Sequence, residues 1–314
     1  MATLHHTTEK GFLVEKIRPY PRKWESIGMR KIREFKLISN ITSPPCRVRH
    51  KFPALVFSRG GATGNVFVDF NEGLVPLFIT VNYAFAGQEF IIAVADDHHG
   101  WLEKYSDLLR AFSKHPIVNI DNETVTHCFP SAAVGLITHG YMSIDPTLLP
   151  NPITFVDFHG FIAKAYGGDP PCFSSPSSPP RLVIMSRKGS KGGRLLLNEE
   201  EVTQLARRMG FSVTVLRVKR DTKLRDVYNV ISSSHAMVGV HGSALVQSVF
   251  LRPGSVFLQV IPLGNEELGE VYFGNPAREM GLEYMAYKIA PEESTLAEKY
   301  GKNSLMIKDP VAYI

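Results

Sequence analysis

The amino-acid sequence predicts an α/β protein built from two Rossmann-like domains facing a cleft. Three observations lead there. In the second half, short apolar runs alternate with helical patterns, the order that favours a parallel sheet with crossover helices. In the first half, the apolar runs 54–57 and 90–94 read as buried strands beside helical stretches. Between the halves lies 167–180, where eleven of 14 residues are Gly, Ser or Pro, a composition that ends regular structure and suits an interdomain linker.

The elements follow in chain order. Residues 1–51 hold 12 Lys and Arg against 4 Glu in a chain of net charge +5, which makes them a basic N-terminal arm before a slightly acidic body. Its cations are spread out, and no nucleic-acid signature accompanies them, so a solvated arm is the expectation and nucleic acid is not an expected partner. Residues 52–166 form the N-terminal domain, with strands at 54–57 and 90–94, a helix at 68–80 and another at 102–113. After the linker, 181–186 is a buried strand. Asn198 followed by Glu201 gives a capping-box pattern for a helix that Gly210 stops. Strands at 211–218, 235–240 and 255–260, with helices at 223–234 and 242–247, complete a C-terminal domain over 181–314.

Composition excludes several classes. With 314 residues and 44% hydrophobic content, the chain can bury a large core or two ordinary ones, and is neither disordered nor collagen-like. No apolar run approaches the ~18 residues of a membrane span. Cys46, Cys128 and Cys172 form no CxxC or zinc spacing. Their pairing stays open, with at least one thiol left over. Two N-glycosylation acceptors, at Asn40 and Asn122, permit a secretory-pathway location.

The candidate chemistry lies at strand ends. His241, Gly242 and Ser243 follow a strand and open a helix, where unpaired N–H groups and the helix dipole can hold a diphosphate. Arg187 and Lys188 end the first strand of the same half, and a guanidinium suits phosphate. In the first half a glycine-rich turn, including Gly64 and Asn65, leads to Asp69, Asn71 and Glu72. Asp69 and Glu72 are three apart, on one helix face, and either carboxylate could act as a general base. The turn is not a Walker loop, and Asp-x-Asp, HExxH and GxSxG are all missing. A metal-free anion site is the expectation.

Five ordered blocks, GGATGNVFVDFNEGLVPLF, HCFPSAAVGL, LVIMSRK, VGVHGSALVQSVFLRPGSVFLQVIPLG and YFGNPAREMGLEYMAYKIAPEEST, resemble the plant members of glycosyltransferase family 61. These include xylan arabinosyl- and xylosyltransferases, with the β-1,2-xylosyltransferase of N-glycans as a relative. The resemblance runs from about Lys16 to about Pro310. It implies a two-domain GT-B enzyme, a Golgi type II membrane protein that moves a pentose from a UDP-sugar with inversion, without a metal or other cofactor. The acceptor would be a polysaccharide or glycoprotein glycan. The nucleotide-sugar site would include Arg187, Lys188, His241, Gly242 and Ser243. Glu72, with Asp69 as substitute, would be the base in an N-terminal acceptor-side domain, beside the loop residues Gly64, Asn65 and Asn71.

This sequence departs from the family pattern at a few presumed site positions. Val68 stands where a histidine is usual, and Glu72 replaces Asp; Ala62 replaces an aromatic. Ala244 replaces a glycine, and Val246 and Gln247 stand where Thr and Asn are usual. These changes support a second reading, a catalytically degenerate paralogue that binds glycan or nucleotide or serves as a partner subunit. The family's membrane anchor has no counterpart before residue 1, nor its closing segment after Ile314. A fragment or an eroded gene, short at its C-terminus, is therefore expected, with any membrane contact made through an anchor outside this sequence.

Overall fold

The computed structural model describes residues 14–39, 44–97, 100–168, 178–189, 193–219 and 221–313. The acceptor triplet at Asn40, Cys172 and most of the 167–180 stretch lie outside the described residues. The chain divides into two units, one holding the residues up to 140 together with 144–153, the other 141–143 and everything from 154 on.

In the first unit, β1 (Val14–Ile17) and β2 (Phe35–Ile38) pair antiparallel around a short helix, Ser26–Arg30. β3 (Val48–Arg49) follows, then the apolar β4 (Ala54–Ser58) and β5 (Ile91–Ala95), β6 (Val118–Asn119), β7 (His127–Cys128) and β8 (Ala132–Val134). A parallel sheet runs β6–β5–β4–β8. Its central strands are nearly continuous buried apolar runs because helices can cover both faces of a parallel sheet. Counting its strands in chain order gives 3-2-1-4, with the direction of winding reversing between β4 and β8. Ligand crevices form at such a reversal, outside the carboxyl ends of the strands. β3 and β7 pair parallel beside a disulfide joining Cys46 to Cys128.

The 1–51 segment is not a free arm where it is described. Tyr20, Arg22 and Ile32 are buried, and Pro19 C=O accepts from Ser58 N–H at 3.0 Å, fastening the segment to the end of β4. Several of its basic side chains are met by acids: Lys16 lies 3.2 Å from Glu34, and Arg33 pairs with Asp96 and Asp121. A charge count could not register the buried aromatic and apolar residues spaced among those cations.

Between β4 and β5 runs one helical stretch, 66–84, longer at both ends than the expected 68–80. Residues 70–80 are buried on every side and are apolar apart from Asn71, Glu72 and Thr80. Its segment Phe70–Leu74 is wound as a π-helical turn.

The second unit contains β9 (Arg181–Met185), β10 (Ser212–Leu216), β11 (Ala236–Val240), β12 (Val256–Ile261) and β13 (Glu283–Lys288). They form one parallel sheet, ordered β10–β9–β11–β12–β13. In chain order this is 2-1-3-4-5, a doubly wound arrangement whose reversal lies between β9 and β11. Helices Glu199–Arg208 and Leu224–Ser232 serve as crossovers. Asn198 makes no side-chain cap, because its backbone, at ψ 31°, is not in the extended conformation a capping residue adopts. The segment after β11 is a 3-10 run, Ser243–Phe250, with Leu245 to Phe250 all buried.

The boundary between units falls at 140–154 and not in the Gly/Ser/Pro stretch. The helix Phe155–Tyr166, closed by a Thr154–Asp157 capping box at one end and Gly167 at the other, belongs to the second unit. Tyr166 packs on Tyr228 with ring centroids 4.8 Å apart and meets Phe250 edge-on. That aromatic cluster draws the helix across the expected boundary.

Candidate functional site

In the second unit the candidate residues gather at the β9/β11 reversal. Arg187 lies two residues beyond β9, and His241 and Gly242 directly follow β11. The guanidinium of Arg187 rests against the backbone of Gly242: a Cβ there would overlap Nη1 and lie 2.8 Å from Cζ. Only glycine leaves room for that approach. Arg187 Nε is buried without a hydrogen-bond partner, and no carboxylate pairs with Arg187 or Arg194 among the described residues. Burial, with Arg194 nearby, lowers the Arg187 pKa, the response of a cation held without a counter-ion.

His241 is 5% exposed and fixed by a chain of donors. Tyr284 Oη donates to Gln259 Oε1 at 2.6 Å, which turns the amide so that Nε2 donates to His241 Nδ1 at 2.8 Å. Burial and Glu270 push the Tyr284 hydroxyl up to about 12, so it stays protonated and donating. The imidazole then carries its proton on Nε2. Burial first, then Arg194 and Arg187, push the His241 pKa down to about 4, keeping the ring a neutral donor at pH 7. Phe273 stands edge-on to it at 5.3 Å, presented by a second π-helical turn, Glu270–Gly274.

Ser243 opens the 3-10 run half-exposed, beside N–H groups of a first turn that a helix start leaves without intrahelical partners. Two guanidiniums, a neutral imidazole donor and a helix start thus meet with no acid among them, a set suited to an anion. Lys188 is engaged elsewhere: its Nζ lies 3.7 Å from Glu199, which also accepts from Arg217.

In the first unit the carboxylates of Asp69 and Glu72 have different partners, although they were expected to work on one helix face. Asp69 is 1% exposed and saturated. It accepts from Gly64 N–H at 3.2 Å, Arg59 Nη2 at 3.3 Å and Tyr105 Oη at 2.8 Å, with Lys104 Nζ at 3.9 Å. Arg59 also donates to the Glu72 carbonyl at 3.1 Å and lies over the Trp101 ring. Gly73 is required here, since a Cβ would sit 2.9 Å from Arg59 Cζ. Asp69 thereby locks the glycine turn to the helix. Asn65 caps that helix through Phe67 N–H at 3.0 Å, and Asn71 is buried within the π turn.

Glu72 is buried in the π turn, 6% exposed, and accepts from the Tyr20 hydroxyl, with Arg22 Nε 3.9 Å away. Burial raises its pKa, against the opposing pull of Tyr20 and Arg22. A carboxylate raised in this way is the kind that takes a proton near neutral pH. Of the two, Glu72 is the one whose environment suits a base.

Asn122 is exposed in a turn, its N–H donating to Asn119 C=O at 3.0 Å. No group of three metal-ligating side chains occurs among the described residues. Sequence reasoning missed Arg59, Arg194, Tyr20, Tyr105 and Gln259. The only signal for Arg59 was its position immediately after the apolar run of β4.

Comparison with known proteins is consistent along the chain. The model of the glycosyltransferase 61 family matches residues 63–258. The chain is 38% identical to a xylan glycosyltransferase of Arabidopsis thaliana, covering 98% of this chain and 65% of that protein. It is 34% identical to an alpha-1,3-arabinosyltransferase of Oryza sativa subsp. japonica, over 95% of this chain and 51% of the relative. A beta-1,2-xylosyltransferase of the same rice is 36% identical, over 94% and 64% respectively. The chain spans between about half and two thirds of the length of these relatives.

Proposed function

The chain belongs to glycosyltransferase family 61, and on that premise we propose that it transfers a pentose, xylose or arabinose, from a UDP-sugar to xylan or a related glycan. The observation that carries the reading is Arg187, packed on Gly242 with Nε unpartnered and Arg194 and neutral His241 nearby. In this reading the guanidiniums and the N–H groups from Ser243 on hold the UDP diphosphate, doing without a metal ion. The proposal includes the two-domain GT-B arrangement that the resemblance implies.

The reaction inverts the anomeric carbon. The acceptor oxygen attacks C1 as Glu72 takes its proton, the C1–O bond to UDP breaks, and the electron pair leaves on the diphosphate. Arg187 and the helix start stabilise the charge that grows there. A Golgi-lumen location fits the Cys46–Cys128 disulfide and the exposed acceptor Asn122. Among the described residues no helix is long and apolar enough to cross a membrane.

Incubation with UDP-xylose or UDP-arabinose and xylo-oligosaccharides, read by mass spectrometry, tests the reading. Transfer is expected from the unaltered chain. Glu72→Gln is expected to lose 10²-fold or more, on the order of a missing general base. Transfer by Glu72→Gln at the unaltered rate would remove Glu72 from the chemistry.

A second reading, a degenerate paralogue that binds without transferring, is favoured by one specific feature. Glu72 is already engaged by Tyr20 and Arg22, and Val68 stands where the family's histidine would be. Under that reading Val68→His raises transfer from near zero while UDP affinity stays the same.

A further inference from the structure

At the carboxyl end of β8, where the first unit's sheet reverses direction, a pocket of about 600 Å³ opens. That is within the range of ligand sites. Its wall is the 16–34 segment, contributing Lys16, Arg18, Tyr20, Lys23 and Glu34, and its other side is Val134 to Leu136. We propose that this pocket is the acceptor subsite and that it selects a glycan carrying a carboxylate, a uronic-acid residue on or beside the chain being extended. The proposal rests on the glycosyltransferase reading above and adds the chemical class of its acceptor.

Charge is the first reason. Three cations line the pocket against a single carboxylate. Glu34 is shared between Lys16 at 3.2 Å and Arg18 at 3.8 Å, so it is already claimed. Lys23 has no acid partner among the described residues: its Nζ donates to the Arg18 carbonyl, and partial desolvation lowers its pKa. Arg18 donates Nη1 to Met29 C=O at 3.2 Å, while its Nε is buried without a partner. The Lys23 ammonium is thus held at the pocket wall with no acid among the described residues, and Arg18 shares its one carboxylate with Lys16, so a ligand carboxylate would complete the charge balance.

Connection to the candidate base is the second reason. Tyr20 lines the pocket and its hydroxyl donates to Glu72, so the pocket adjoins the side chain that holds the candidate base. The third is Trp24, next to Lys23 and 59% exposed. An exposed indole one residue along the chain from a lining lysine suits the apolar face of a sugar ring, a contact that a simple anion would not use.

The test is calorimetric titration of the chain with a xylo-oligosaccharide bearing a glucuronosyl branch, and with the same oligosaccharide after its carboxyl is reduced to an alcohol. The acidic form should bind about tenfold more tightly at low ionic strength, and added salt should narrow the gap. Lys23→Ala should cost the acidic ligand most of that advantage and leave the neutral one unaffected, whereas Lys23→Arg should keep it. Trp24→Ala should weaken both. Circular dichroism of each variant establishes that it is folded.

Equal affinity for the two oligosaccharides, or a Lys23→Ala variant that still discriminates, overturns the proposal. Competition by UDP for the acidic oligosaccharide, relieved by Lys23→Ala, would assign the pocket to nucleotide and overturns it too. UDP titration in parallel separates the two levels. UDP binding with no preference for the acid removes this proposal alone, whereas absence of UDP binding removes the transferase reading beneath it.

Discussion

Arg187 and His241 are both cation-capable side chains beside a helix start, yet their surroundings give them different states. Arg187 has no counter-ion among the described residues; His241 is kept neutral and becomes a donor of fixed direction. That difference has a consequence for pH. His241 has a folded pKa of about 4 against 6.5 for the unfolded chain, so between those values the unfolded state binds more protons. Stability therefore rises with pH through that window and is lost as pH falls through it. Glu72 has the opposite sign. Its raised folded pKa means the folded state holds the proton more tightly, so its contribution declines as pH climbs above the ordinary carboxylate range. Urea midpoints measured from pH 4 to 7 should flatten in His241→Gln, and an unchanged slope would contradict the neutral buried imidazole.

At the level of elements, both π turns deliver site residues. Phe70–Leu74 carries Glu72 and lets Gly73 approach Arg59, and Glu270–Gly274 sets Phe273 against His241. A π turn inserts a residue into a helix and re-aims the side chains around it, and such turns concentrate at functional sites. The first depends on the Arg59–Asp69 pair, which is buried, with the Asp69 carboxylate accepting from Gly64, Arg59 and Tyr105. Asp69→Ala leaves a buried guanidinium unpaired, and chemical denaturation should show a loss of about 3–5 kcal/mol. A loss no larger than that of an exposed substitution would contradict the structural role given to Asp69.

The strands β4, β5, β9, β11 and β12 were legible in the sequence because buried parallel strands are written as apolar runs. β13 was not, since as an edge strand it is mostly exposed and reads Glu-Tyr-Met-Ala-Tyr-Lys. The Arg187, His241 and Gly242 cluster was legible because strand ends in an alternating pattern can be located from sequence. What held Asp69 was not, for Arg59 and Tyr105 lie 10 and 36 residues away and meet it only through the fold.

Across the whole molecule, two parallel sheets with different strand orders each set their candidate residues at the point where the order reverses. The first sheet places Tyr20, Glu72 and the basic pocket near β4 and β8, and the second places Arg187 and His241 near β9 and β11. The basic N-terminal segment, read from charge as an arm, is part of the first of these sites. Its unit also carries the Cys46–Cys128 bridge, which spans 82 residues of chain. In the chain-entropy view, closing a loop of that size stabilises by about 4–5 kcal/mol. Cys46→Ala should accordingly lower the melting temperature by several degrees or more, and an unchanged melting temperature would contradict the bridge.

The central claim is that a metal-free anion site at the β9/β11 reversal binds a nucleoside diphosphate. Calorimetric titration of the chain with UDP in EDTA, repeated with Arg187→Ala, tests it most directly. The account predicts micromolar binding in EDTA that Arg187→Ala weakens at least tenfold while the variant stays folded. A folded chain that binds no UDP, or that binds it equally with and without Arg187, would contradict it.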